Sequence, residues 1–185
     1  MPRTPLTTRF LLPALQTGVC VIGLACSLAA VAQTAPAMAP GLAPAPVATL
    51  PGYGMSLSLD QAKKMMAAAE AHARANNWTV GIAIVDTAAQ LVTFTKMDGL
   101  QHASVAIALG KAVTAVNFRR PTKALEDGIA AGGAGLRILG VPGTTPLEGG
   151  IPIVMDGKIV GGIGVSGVMS TQDAQIAIAG IAALK

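Results

Sequence analysis

Residues 80–85 (VGIAIV) form an apolar run rich in β-branched side chains, and residues 91–97 (LVTFTKM) alternate apolar with polar. Both patterns predict strands. Between them Thr87-Ala88-Ala89-Gln90 is small and polar enough for a reversal, and Asp98-Gly99 closes the second run with turn chemistry. From Ala103 the period changes. Val105, Ala108 (or Leu109), Ala112 and Val116 recur at helical spacing. A hairpin feeding a helix of small residues is the predicted organising unit, with His102 just before the helix and Lys111 inside it.

The flanks extend the pattern. A first helix starts at Ser58-Leu59-Asp60, with Ser58 or Asp60 as its cap, and places Leu59, Ala62, Met66, Ala69 and Ala73 on one face. Asn76-Asn77 ends it. Arg119-Arg120-Pro121 ends the central helix, and residues 121–136 read as a short helix running into a loop, because AGGAG at 131–135 is too flexible for a packed interior. Residues 140–150 (GVPGTTPLEGG) are an irregular connection. Asp156-Gly157, set between apolar runs at 151–155 and 158–165, predicts a second hairpin. Thr171 is the predicted cap of a last helix that packs through Ile176, Ala179, Gly180 and Ala183. The order α-ββ-α(α)-ββ-α implies an α+β domain, an antiparallel β-sheet flanked by helices.

The N-terminus changes the picture of where this domain resides. Arg3 and Arg9 precede a nearly uncharged apolar stretch that ends in Ala30-Val31-Ala32. That is the layout of a secretory signal peptide over residues 1–32, and it predicts a periplasmic or secreted protein. Residues 33–54 are rich in Ala and Pro and read as an extended tether. The folded domain is then expected over residues 55–185. Cys20 and Cys26 both fall in the leader, so the mature chain has no thiol for a disulfide, a nucleophile or a thiolate metal site. Two of the 13 basic residues also fall there, which leaves 11 against 9 acidic groups. A net charge of +2 with 3% aromatic residues gives no electrostatic or stacking case for nucleic acid. No membrane contact is expected once the leader is removed.

Candidate chemistry is sparse. His72 lies at the edge of the first helix's apolar stripe, where it is either a half-exposed surface histidine or, as a neutral imidazole, a ligand for a metal or haem iron, and His102 precedes the central helix. Lys111 sits among apolar neighbours, with Thr114 three residues along on the same side, so it either snorkels to water or meets an anionic group. Asp86, Asp98 and Asp156 stand where strands meet turns, and Ser104 and Ser166 lie in no nucleophile elbow. No nucleophile–base–acid constellation emerges, so no catalytic residue is assigned. Residues 162–167 (GIGVSG) match G-x-G-x-x-G, but too little chain follows for the parallel strand and acidic residue of a dinucleotide site. Gly162 and Gly164 instead predict a strand that admits close backbone approach, either to a carboxylate or phosphate or to a partner subunit.

Val85-Asp86, residues 94–99 (FTKMDG), residues 111–115 (KAVTA), residues 149–153 (GGIPI) and residues 161–167 (GGIGVSG) together resemble the HbpS/GlcG-like family, whose domain also forms the C-terminal part of PduO-type proteins. The resemblance covers the chain from Met55 to its end. It implies a profilin-like sandwich that assembles into homo-oligomers and binds haem or a related tetrapyrrole such as a corrinoid; some members are described as haem-degrading. Lys96 stands where the family usually has Arg, and Ala88 and Ala89 where it usually has glycines. Carried onto this chain, the resemblance makes His102 the first candidate axial ligand and His72 the second. Lys111 and Thr114 would contact the propionates or line the pocket, and residues 161–167 would form a flat wall. A different reading is an enzyme or auxiliary protein acting on small organic acids, with Lys111, Asp98 and Ser166 around an anion pocket. A further one is an oligomeric structural or sensory module whose glycine strand is a subunit interface.

Overall fold

A computed structural model describes residues 49–185; the expected signal peptide and all but the end of the expected tether lie outside the described residues. The elements are α1 (Leu59–Ala75), β1 (Gly81–Val85), β2 (Leu91–Lys96), α2 (Ala103–Asn117), α3 (Thr122–Ala130), a 3-10 segment (Gly133–Gly140), β3 (Gly150–Met155), β4 (Lys158–Ser166) and α4 (Ser170–Ala182). The strands form one antiparallel sheet in the order β2-β1-β4-β3. This is the α+β domain that the element order predicts.

The period-two pattern sorts the sheet's side chains between two helical layers. Ile82, Ile84, Ile163 and Val165 pack with Ala62, Met65, Ala69 and Ala73 of α1 and with Ile176 and Ala177 of α4. Ala83 and Val85 point the other way, onto Ala108, Ala112 and Val116 of α2. Small residues on α2 let it settle closely, and glycines on the sheet let it settle further. A Cβ at Gly162 would lie 2.8 Å from the Ala112 carbonyl oxygen, one at Gly164 would overlap that of Ala108, and one at Gly150 that of Lys111. The close approach expected of this strand is therefore made by the chain's own helix α2. The flat wall, the anion cradle and the subunit contact expected of residues 161–167 are displaced by it on that face.

Local chemistry explains most element ends. Ser58 Oγ accepts from the Gln61 N–H (3.2 Å), and Gln61 Oε1 from the Ser58 N–H (2.8 Å), a reciprocal cap at the start of α1. Leu59, predicted on the packing face of α1, is about half exposed, and Met65 is buried in its place. Thr171 does not cap α4, because the helix already begins at Ser170: the Met169 carbonyl accepts from the Gln172 (2.8 Å) and Asp173 (2.9 Å) N–H groups, while Gln172 Oε1 accepts from Met169 and Asp173 Oδ1 from Val168. Residues 133–140, left out of any element by the glycine argument, form a 3-10 helix with no buried residue. Backbone pairing with β4 begins inside the expected tether: Gly52 O accepts from Ile159 N–H, Gly54 N–H donates to Ile159 O, and Leu57 N–H to Val160 O, each at 2.8 Å. Tyr53 adds a bond from its hydroxyl to the Val116 carbonyl (2.9 Å).

In the first hairpin, Asp86 Oδ1 accepts from the N–H groups of Ala88 (2.9 Å) and Gln90 (2.8 Å), and the reversal is completed with Ala89 at φ 59. A Cβ in this left-handed region is strained. Ala89→Gly is therefore expected to stabilise the fold by about 0.5–1 kcal/mol after the entropy of the freer unfolded chain is deducted, read as a raised urea midpoint. Gly164→Ala is expected to cost about 3 kcal/mol or more, since helix and strand must separate to admit a methyl group. A midpoint for Gly164→Ala within error of wild type would refute this account of α2 packing.

Candidate functional site

Lys111 is the largest side chain in the interior, 2% exposed, and its stem leaves α2 where β3 begins. Its Nζ donates to the Val165 carbonyl (2.9 Å) and to Asp173 Oδ2 (2.8 Å) in the first turn of α4. The pair joins the layers on opposite faces of the sheet through a gap held open by Gly149. That residue has φ 121, and a Cβ there would stand 2.8 Å from Asp173 Cβ and 2.9 Å from Lys111 Nζ. Asp173 Oδ1 accepts from the Val168 N–H (3.3 Å). Burial pushes the Asp173 carboxyl above its ordinary range, while the Lys111 ammonium and the N–H groups of Val168 and Gly167 act to lower it. Lys111 thus neither snorkels to water nor faces an external anion. Its counter-charge is built into the fold.

The other predicted polar groups near it are also engaged inside the protein. Thr114 Oγ1 accepts from the Thr145 N–H (2.8 Å), which clips the connection after the 3-10 segment onto α2. Ser166 Oγ lies 3.2 Å from Ser104 Oγ, which also receives the Gln101 side-chain amide (2.9 Å). Thr122 Oγ1 receives the Gly150 N–H (2.9 Å) at the start of β3. Asp98 is exposed in the turn after β2. Lys111, Asp98 and Ser166 therefore do not converge on one anion pocket. Asp173, which completes the buried network, carried no sequence signal beyond its place in the first turn of a helix.

His102 and His72 are held apart. His72 is on α1, half buried, its ring 6.0 Å from that of Trp78, and its Nε2 is enclosed without a hydrogen-bond partner. His102 is exposed at the N-terminal end of α2, on the other side of the sheet. The outward surface of α2 beside it has no charge, because Lys111, the helix's one ionisable residue, points inward. Val105, predicted on the packing face, is 37% exposed there, and Leu109 and Val113, like Phe94 of β2, are half buried at the margin of the cluster formed by Ala83, Val85, Ala108, Ala112 and Val116. Phe94 and Lys96 share one face of β2, the face that looks toward α2. The α2 side of the sheet thus carries the exposed His102 imidazole, the uncharged outer surface of α2, the half-buried Phe94 and the exposed Lys96. Among the described residues no three of His, Cys, Asp or Glu gather as a metal site.

A four-stranded antiparallel sheet between two helical layers defines a small three-layer α+β domain. Its family follows from comparison. Residues 57–182 match the family described as haem degrading protein HbpS-like, and the chain belongs to that family. It is 40% identical to Protein GlcG of Escherichia coli over 110 residues, 60% of this chain and 81% of GlcG. Its fold resembles that of a double mutant of HbpS from Streptomyces reticuli (TM-score 0.67, 34% identity, covering 81% of this chain and 99% of that one). It also resembles PduOC, solved as a haem complex (TM-score 0.64, 29% identity, covering 70% and 95%).

Breaking the buried pair from one side leaves an uncompensated charge in the core. Lys111→Met or Asp173→Leu alone is expected to cost about 3–5 kcal/mol in chemical denaturation. The double variant should recover most of that loss. Additive losses in the double variant would show that the two groups act independently.

Proposed function

We propose that this protein binds haem on the shelf formed by α2 and β2, outside the cytoplasm, with His102 as the axial ligand. The observation that carries the proposal is an exposed imidazole at the head of a helix whose outer surface bears no charge. Iron held by a macrocycle needs one or two axial donors from the protein, and imidazole is the commonest. The macrocycle needs a flat apolar surface, which Val105, Leu109, Val113 and Phe94 supply. Its propionates need a cation at the rim, which Lys96 supplies. The description of the family and the haem complex of PduOC support the same ligand. The expected signal peptide supports a site of action in the periplasm or beyond the cell. Haem bound here would be held by coordination and apolar contact, which suits sequestration or sensing.

The test is an absorption titration of the chain from Gln33 with haemin. A saturable Soret change at fixed stoichiometry is expected. His102→Ala should weaken binding by about an order of magnitude or more and alter the Soret position, Lys96→Glu should weaken it less, and His72→Ala should leave the spectrum as it is. A folded protein that gives no saturable change would overturn the proposal. Unaltered spectra in His102→Ala would move the ligand elsewhere.

A further inference from the structure

Asp156 and Lys158 flank the tight turn between β3 and β4, and haem binding on α2 makes no use of either. Both line one cavity of about 440 Å³, which opens between that turn, the first turn of α1 and the chain at 54–57. The cavity is on the α1 side of the sheet, since Leu57, Met155 and Val160 of its lining also belong to the core built with α1 and α4. One rim is an excursion of the chain. Gly54 pairs with Ile159 and Leu57 with Val160, so three residues advance against one of β4, and Met55 and Ser56 arch away between them.

The polar groups of the lining are few and free. Gln61 Oε1 is committed to the Ser58 N–H, which fixes the side chain, while its Nε2 meets only the Met155 sulfur, at 3.8 Å. A thioether is a weak acceptor, so this amide has a donor to spare. Asp156 and Lys158 are exposed, and among the described residues neither takes part in an ion pair. Leu57, Met155 and Val160 are apolar, and the unbranched Met155 adapts to what it meets.

We propose that this cavity binds a small apolar α-amino acid as its zwitterion. The ligand's carboxylate lies at Lys158 and the Gln61 amide, its ammonium at Asp156, and its side chain on Leu57, Met155 and Val160. The two free charges decide the class. A simple carboxylic acid gains from Lys158 and loses to Asp156, and an amine does the reverse; only a molecule with both charges gains from each. Asp156 and Lys158 stand two residues apart across a tight turn, so the ligand's charges must be equally close, as they are on one α-carbon. The volume is in the range of small-molecule sites. Lying across the sheet from His102 and Lys96, the site does not depend on haem.

The experiment uses the chain from Gln33 without haem, its methionine methyl groups labelled with carbon-13, and L-leucine as the probe. Leucine is expected to shift the Met55 and Met155 signals saturably and to leave those of Met97 and Met169, which do not line the cavity, in place. Isocaproate, which lacks the ammonium, and isopentylamine, which lacks the carboxylate, should each bind more weakly by about an order of magnitude. Asp156→Asn keeps a side chain that tolerates the left-handed backbone here (φ 49). It should weaken leucine by about fivefold or more and strengthen isocaproate, because the repelling charge is gone. Lys158→Gln should weaken leucine and strengthen the amine. A structural role would not exchange these preferences. Absence of a saturable shift at Met55 and Met155, an equal response to the three probes, or folded variants with the wild-type preference would each overturn the proposal.

Discussion

The distance between α2 and the sheet governs the rest of the molecule. Three glycines, at 150, 162 and 164, remove the side chains that would separate helix from strand, and Ala108 and Ala112 do the same from the helix side. Seated that closely, α2 has its rotation fixed, and two consequences follow. Lys111 is turned into the protein at the level where β3 begins, so the fold must provide it with a carboxylate. Val105, Leu109 and Val113 are turned toward β2, so the outer surface of the helix is left without charge. The buried ion pair and the apolar shelf are two outcomes of one packing decision.

The fold was legible where local chemistry and periodicity agree. Asp156-Gly157 between apolar runs, the change of period after Ala103 and the Ser58 cap each specify structure within a few residues. Positions that depend on distant partners were not legible. Val105 continues the spacing of Ala108 and Ala112, but the glycines across from it set a rotation that leaves it facing outward. Thr171 has the right chemistry for a cap, but the helix starts one residue earlier, at Ser170, with Gln172 and Asp173 reaching back to the Met169 and Val168 amides ahead of it. The 3-10 turns at 133–140 need no buried face, so no hydrophobic pattern announces them.

The same division applies to the site. What sets the motif at 111–115 and the glycines of β4 apart is internal to the fold. Lys111 answers Asp173 across 62 residues of sequence, and nothing in the spacing of either residue points to the other. His102 was visible as an isolated polar residue ahead of a helix. That it shares a side of the sheet with Phe94 and Lys96 depends on the face of β2 and the rotation of α2, which no local spacing gives. A resemblance to HbpS-like proteins points to a ligand class sooner than geometry does, while geometry separates the two histidines, one half buried on α1 and the other exposed ahead of α2.

The buried pair also sets an order of events while the chain is being made. Lys111 emerges from the ribosome well before Asp173, and until α4 arrives its ammonium has no partner and must remain in water. A hydrated Lys111 keeps α2 from closing on the glycines, and the stretch at 52–57 likewise waits for Ile159 and Val160. Both contacts that lock the domain therefore join early residues to late ones, so a nascent or truncated chain stays open.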